Sequence, residues 1–340
     1  MKYLRFLIVL TLLFTVALSA CAPAATPAPE QTTTELPLFY GAFATPIEEP
    51  WDGVIHAALQ KAADEGKIRY EYTDDIGYAG DMERVLREVS DGKKPAAIFG
   101  DAFGNEEAVR RVAAEYPNIA FVFGSGLGPT EPNVAVFDNW IHEPAYLSGM
   151  LAGGLTQTNT IGLVGGQPVP EVNRIANAFI DGVKSVNPDA TVLVTFINSW
   201  FDPAAAKEAA LAQIDSGADV LFAERFGVIE AAVENGLYSF GNMSDQSELG
   251  PDSVVSGPVW NMTPTVEYVL KQVEAGSFTS QDLKDFSMVA KGGASLAPIS
   301  DSMKAKIPTD LYDQVMKTQQ EIKDGLFRVN IAEETPAGTN

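Results

Sequence analysis

Residues 161–203 constrain the fold more than any other stretch of this chain. They read IGLVGGQPVPEVNRIANAFIDGVKSVNPDATVLVTFINSWFDP. The apolar run 161–164 has the composition of a buried strand and closes on a turn at Gly165 and Gly166. Val172, Ile175, Ala176, Phe179, Ile180 and Val183 then recur at the spacing of one buried helix face. Asn187, Pro188 and Asp189 stop that helix, and 191–197 is a second apolar strand. A strand, a helix and a strand in roughly 40 residues make one parallel βαβ unit with a right-handed crossover. The second strand empties into Asn198, Ser199, Trp200, Phe201 and Asp202, with Pro203 suited to the first position of the next helix. Polar and aromatic residues at such a junction stand where open α/β sheets bind ligands. The signal is for binding, not for chemistry.

The same alternation runs through most of the chain. Strands are expected at 36–43, 69–73, 96–100, 119–124, 134–138, 220–222 and 238–241. A further strand at 254–259 is expected to return to the first lobe. Helices are expected at 51–65, 81–89, 105–115, 145–155, 264–275 and 308–323. Repeated βαβα implies parallel sheets covered by helices on both faces. The ~300 residues that follow position 35 exceed one small core and suit two α/β lobes. The fold class is therefore a two-lobed α/β fold, each lobe a parallel sheet flanked by helices, with a hinge. Lobe 1 takes 36–140 with about 260–300, and lobe 2 takes 141–259 with about 301–340. The alternation breaks at 138–142, at 258–262 and after Ser295, which is where the hinge is expected.

The first 21 residues read as an address. Lys2 and Arg5 form a charged region, 6–18 is an apolar run too short for a convincing membrane span, and LSAC at 18–21 resembles a bacterial lipobox. Cys21 is the only cysteine, so it is the expected lipidation site and no internal disulfide can form. Residues 22–35, rich in Ala, Pro and Thr, read as a tether that holds a soluble domain off a membrane. A net charge of −22 argues against nucleic acid as a partner. The two histidines, His56 and His142, stand in no metal-ligand spacing, so no metal or cofactor is expected.

The ordered motifs carry a family resemblance. VGGQPVPEVNRIANAFIDGVKSVNPDA at 164–190, followed by NSWFDP at 198–203, resembles the basic membrane protein (BMP) family of substrate-binding lipoproteins. The resemblance implies a monomeric, extracytoplasmic, lipid-anchored protein that hands a small molecule to the permease and ATPase subunits of an ABC importer. Purine nucleosides are the best-known substrates of the family. It also implies the periplasmic-binding-protein-like fold (type I), a ligand in a cleft between lobes and no enzymatic activity. Family members often carry an acidic-x-x-aromatic-Asn run where this chain has EEPWD at 48–52, and a Gly-rich aromatic loop where it has GDAFGN at 100–105. The nucleoside-binding pattern Gly-x-Asp-x-Asp-Gln becomes GNMSDQ at 241–246, with Met243 in place of the sugar-holding Asp, and no lysine appears in 256–261. These departures favour a bare purine-like base such as adenine or hypoxanthine. A nucleoside, or a sensor role toward a signalling partner, is the alternative.

The candidate ligand contacts follow from the loops at strand ends. Trp51, Phe103 and Trp200 are expected to stack on a planar heterocycle, and Trp140 and Trp260 lie nearer the hinge. Asp52, Asn139, Asp202, Glu224, Arg225, Asn242 and Asp245 are the polar groups available to orient it. Asp202 can equally cap the helix that begins at Pro203. Glu224 and Arg225 can pair with each other, and Asp245 can be a turn residue. The Gly165–Gly166 turn lacks both the dinucleotide and the Walker spacing, so an enzyme reading has little support.

Overall fold

The computed structural model describes residues 35–336. The address, Cys21 and 22–34 of the tether lie outside the described residues. Two parallel five-stranded sheets organise the rest. The first contains β1 (Leu38–Ala42), β2 (Arg69–Thr73), β3 (Ala97–Asp101), β4 (Ala120–Gly124) and β5 (Val134–Phe137), in the order β2-β1-β3-β4-β5. The second contains β6 (Thr160–Gly165), β7 (Thr191–Phe196), β8 (Val220–Ala223), β9 (Tyr238–Phe240) and β10 (Val254–Ser256), in the order β10-β9-β8-β6-β7. Both sheets therefore share one winding, in which the chain starts next to the edge, pairs outward once and then reverses direction. The reversal falls between β1 and β3 in the first sheet and between β6 and β8 in the second. Loops that leave neighbouring strands in opposite directions there open a crevice at the strand C-termini.

Strand parity decides the two faces of each sheet. In β1 and its neighbours, Tyr40, Ala42, Ile98, Phe121 and Phe123 pack beneath α2 (Asp81–Gly92) and α3 (Glu106–Glu115). Phe39, Phe99 and Val122 point to the other face and join a core with α1 (Pro50–Asp64). In the second sheet Val164 and Leu221 pack under α6 (Pro203–Asp215) and α7 (Val228–Glu234). Ile161, Leu163 and Phe222 face α4 (His142–Leu155) and α5 (Pro170–Val186), which lie tightly together. A Cβ at Gly149 of α4 would fall 2.0 Å from the Phe179 carbonyl oxygen, so glycine there sets how closely α4 and α5 approach. Helix α6 starts on Pro203 as expected, and α1 and α5 likewise start on Pro50 and Pro170, since proline suits a first helical turn with no partner for its amide.

The chain crosses between the sheets more than once. After β5 it passes through 138–141 into α4. After β10 it enters β11 (Pro258–Trp260), α8 (Thr263–Glu274) and β12 (Ala294–Leu296), where β11 and β12 pair antiparallel. Here the structure corrects the expected single strand at 254–259. The run divides at Gly257, where a Cβ would meet the Gly241 carbonyl oxygen at 2.4 Å. Val254–Ser256 is the edge of the second sheet, and only Pro258–Trp260 leaves it. Helix α8 buries Val266, Val269 and Leu270 and packs against α1, with Lys67 Nζ 2.8 Å from Glu267 Oε1 beside them. The chain then returns through α9 (Asp301–Lys304) to α10 (Thr309–Lys323), which packs on α4. Among the described residues no helix is long and apolar enough to cross a membrane.

Candidate functional site

The switch points of the two sheets open on one cavity of about 360 Å³. The first sheet contributes Thr45 and Glu49 from the passage between β1 and α1, Trp51 and Asp52 from the first turn of α1, and Asp101 and Phe103 from the end of β3. The second sheet contributes Val169, Pro170 and Glu171 after β6, Trp200 after β7 and Arg225 after β8. Asp138 and Trp140 come from the first crossing, Arg174 from α5 and Glu333 from the segment after α10.

Each wall residue has a local reason for its position. Glu49 is the N-cap of α1, and its carboxylate accepts from the Trp51 and Asp52 amides at 2.8 and 3.3 Å. That cap turns the first helical residues, Trp51 and Asp52, toward the cavity. The Trp51 ring lies 5.8 Å from Phe137 in a stacked pair and 5.3 Å from Trp260. A Cβ at Gly124 would fall 1.9 Å from Trp51 Cη2, so the ring requires the bare glycine at the end of β4. Asn198 takes a φ of 57°, a left-handed conformation that asparagine tolerates, and so turns the chain after β7 to present Trp200. Trp200 meets Phe103 of the other lobe edge to face at 5.4 Å, and Tyr78 meets Phe103 in the same way at 6.2 Å.

Arg225 ties the two lobes together. It makes a two-pronged pair with Glu224, Nη2 at 2.5 Å from Oε1 and Nε at 2.8 Å from Oε2. Its Nη1 donates to the Trp200 carbonyl at 2.8 Å and reaches Glu49 Oε1 at 3.0 Å. Glu224 also accepts from the Gly166 amide at 2.8 Å, so the glycine turn after β6 is held by a carboxylate and not by a phosphate. Both partners of the Arg225–Glu49 pair are buried, which makes it a strong contact between elements 176 residues apart.

The cavity is rich in carboxyl groups. Asp52 is buried; its Oδ2 accepts from the Thr45 amide at 2.9 Å and the Thr45 hydroxyl at 2.6 Å. Among the described residues its Oδ1 finds no hydrogen-bond partner. Burial pushes this carboxyl up to about 7, against the pull of the Thr45 bonds. Burial likewise raises Asp101 well above the usual range, with Asp52 adding to it, although Oδ1 accepts from the Phe103 amide at 2.9 Å. Glu171 keeps some accessible surface but is surrounded by protein, and that desolvation, with Asp138 and Glu224 adding to it, raises it to about 8. Arg174 offsets part of this charge. It pairs with Asp138 Oδ2 and Glu333 Oε1, each at 2.7 Å, and its guanidinium lies 3.8 Å from the Trp140 ring centre. An array of carboxyls, several of them holding a proton near neutral pH, offers both acceptors and O–H donors between aromatic walls and suits a flat ligand with N–H or O–H donors and ring acceptors.

The expected contacts separate into three groups. Trp51, Asp52, Phe103, Trp200 and Arg225 all line the cavity, as does Trp140. Asn139, Glu224 and Asn242 stand one layer behind it. Asn139 donates to Glu171 and to Met243 Sδ, and Asn242 Nδ2 lies 3.3 Å from Glu224 Oε1. Three others lie elsewhere. Asp202 is exposed and caps α6, accepting from the Ala205 amide at 3.0 Å. Asp245 is an exposed turn acceptor for the Ser247 amide, and borders a separate shallow pocket with Pro251 and Ser300. Trp260 is buried behind Trp51, with its indole N–H on Ser287 Oγ at 3.0 Å. Sequence reading alone misses Glu49, Tyr78, Asp101, Asp138, Glu171, Arg174 and Glu333. Glu171 and Arg174 stand within the PEVNR run at 170–174, where their spacing of three on a helix was the available sign. Among the described residues no group of His, Cys, Asp and Glu side chains is arranged to hold a metal ion.

Residues 45–321 match the model of a family described as ABC transporter substrate-binding protein, PnrA-like. A Haloferax volcanii protein provisionally named an ABC transporter glucose-binding protein is 32% identical over 271 residues, 78% of this chain and 67% of that one. A purine-binding protein of Brucella abortus is 29% identical over 262 residues, 76% of this chain and 72% of that one. A solved ABC transporter solute-binding protein from Aeropyrum pernix K1 superposes with a TM-score of 0.74 at 18% identity, over 87% of this chain and 94% of that one.

Proposed function

Because the chain belongs to the PnrA-like (Bmp) family of ABC transporter substrate-binding proteins, we propose that its inter-lobe cavity captures a planar, donor-bearing nitrogen heterocycle, with a purine base such as adenine or hypoxanthine favoured. The observation that carries this reading is the pairing of Phe103 and Trp200 from opposite lobes beside Asp52 and Asp101. Aromatic edges and faces from both sides suit a flat ring, and acceptor carboxyls suit its N–H groups. The cavity falls within the ~300–1,000 Å³ usual for small-molecule sites. Met243 favours a base over a nucleoside: it is buried, holds Asn139 through its sulfur, and offers no carboxylate to a ribose.

A second reading has its own support. The Haloferax relative is named for glucose binding, and sugar hydroxyls also donate to carboxylates. Calorimetric titration of protein unfolded and refolded to remove co-purified solute separates the two. Heat with adenine or hypoxanthine, exceeding that with adenosine, inosine or glucose, is the expected result. Tighter nucleoside binding, or a response to glucose alone, overturns the base reading. We further propose that the chain is exported and tethered through a lipid on Cys21, and that the lobes close on the ligand about 138–142, 258–262 and the crossing after Ser295.

A further inference from the structure

The segment 329–336 is not an idle extension of α10. It lies beyond residue 321, the last that matches the family model, yet it reaches the cavity wall through Glu333. One side of α5 holds it in place. Asn173, Asn177 and Asp181 stand four residues apart on a single helical stripe. Asn173 Nδ2 donates to the Glu333 carbonyl at 3.0 Å, and Asn177 Nδ2 donates to the carbonyls of Ala332 and Glu334 at 3.0 and 2.8 Å. Asp181 accepts from the Asn330 side chain. Upstream, Val329 is buried and Phe327 rests 5.4 Å from Tyr146. Backbone carbonyls held by side-chain amides fix this irregular segment on α5, and they fix its register as well.

That register puts the Glu333 carboxylate on Arg174, which is buried and already paired with Asp138. One guanidinium thus faces two carboxylates at this end of the cavity. We propose that 329–336 is a wall of the binding site, and that Glu333 is a specificity-determining residue that masks Arg174 so that the cavity rejects ligands negatively charged at that end. The proposal rests on the reading of this cavity as a small-solute site. Without Glu333, Arg174 would keep Asp138 as a one-to-one partner on Nη2, and its Nη1 would be left open to an anionic group of the ligand. With it, the end of the cavity beside Trp140 is neutral to acidic and accepts neutral or donor-bearing ligands.

Glu333→Gln tests this, because it removes the charge and preserves size and backbone anchoring. Two measurements read the result. The first is quenching of tryptophan fluorescence by iodide and by caesium, which needs no ligand. Arg174 lies on the Trp140 ring, with Lys284 Nζ 5.6 Å from its centre as a background common to both proteins. Exposing the Arg174 charge raises iodide quenching and lowers caesium quenching, and Trp140→Phe in the same background abolishes the change. The second is calorimetry with adenine, which is neutral at neutral pH, and urate, which is an anion. The ratio of their dissociation constants is expected to shift toward urate by roughly tenfold, the scale of one partly screened charge. An unchanged ion dependence of quenching overturns the masking role. An unchanged ratio between two purines that both bind overturns the specificity role. If neither purine binds the parent protein, the purine reading fails by itself, and the quenching arm still decides what Glu333 does.

Discussion

Asp52→Asn isolates the cost of the carboxyl-rich cavity. In the folded chain this group titrates near 7, against 3.8 in its ordinary state, mainly because burial disfavours the charged form. Between those two pH values the folded chain keeps a proton that the unfolded chain has released. Stability from this group is therefore full below about pH 4 and falls as pH rises toward 7. The span is about 3 units, and at about 1.4 kcal/mol per unit the cost of ionising Asp52 approaches ~4 kcal/mol by pH 8. Asp101 and Glu49 lie near enough to share the relief, so an effect of ~2–4 kcal/mol is expected. Asparagine keeps an oxygen for the Thr45 amide and hydroxyl and places an amide where Oδ1 now has no partner. The variant should match the parent protein at pH 4 and exceed it at pH 8. With about 2 °C per kcal/mol for a domain of this size, Tm at pH 8 should rise by ~4–8 °C. Thermal unfolding of ligand-free protein across pH 4 to 8, followed by circular dichroism, measures it. Parallel pH profiles for the two proteins would refute the reasoning. The same variant should bind a donor-bearing ligand more weakly, so stability and binding move in opposite directions.

Four further outcomes follow from the geometry. Glu49→Gln keeps the α1 cap but removes the charge facing Arg225; stability should fall by about 1–3 kcal/mol and ligand-free protein should expand in small-angle scattering, whereas an unchanged profile and Tm would deny the pair a role in joining the lobes. Gly124→Ala drives a methyl into Trp51 and should cost about 1–3 kcal/mol, with a shift in tryptophan emission; a silent substitution would mean the ring has room to move. Trp200→Ala removes one wall of the ring slot and should weaken purine binding roughly tenfold to a hundredfold, from the ~1–3 kcal/mol of a stacked base; full affinity would remove Trp200 from the site. Cys21→Ala should release the protein from membranes on fractionation, and normal attachment would rule out the lipid anchor.

Much of this fold was legible because its signals are local. The Val172-to-Val183 stripe, the proline at 203 and the Asn187-Pro188 stop each act within a few residues, and the structure forms α5, β7 and α6 accordingly. The strand-end rule likewise placed Trp51, Phe103 and Trp200 on the cavity. What escaped depends on contacts distant in sequence. Nothing near Arg225 announces that it will meet Glu49, and nothing in 329–336 announces a wall, because both follow from how the two sheets come together. Asp202 shows the opposite failure. A polar residue before a proline-started helix satisfies the backbone first, and its geometry as a cap points it away from the cleft. Trp260 was displaced from the wall for a packing reason, since Trp51 already fills the space in front of it.

The packing of α8 on α1 also governs the order in which the molecule can be assembled. A chain emerging from its N-terminus has all five strands of the first sheet by residue 137, and all five of the second by 256. The face of α1 that receives Val266, Val269 and Leu270 still lies open to water at that moment. Neither lobe is therefore complete when its last strand is made: the first waits for α8, which ends at residue 274, and the second for α10 and the segment 329–336. No single pair of cuts releases the first lobe intact, and a fragment ending at the last strand of either sheet leaves a greasy seam for chaperones or other chains to find.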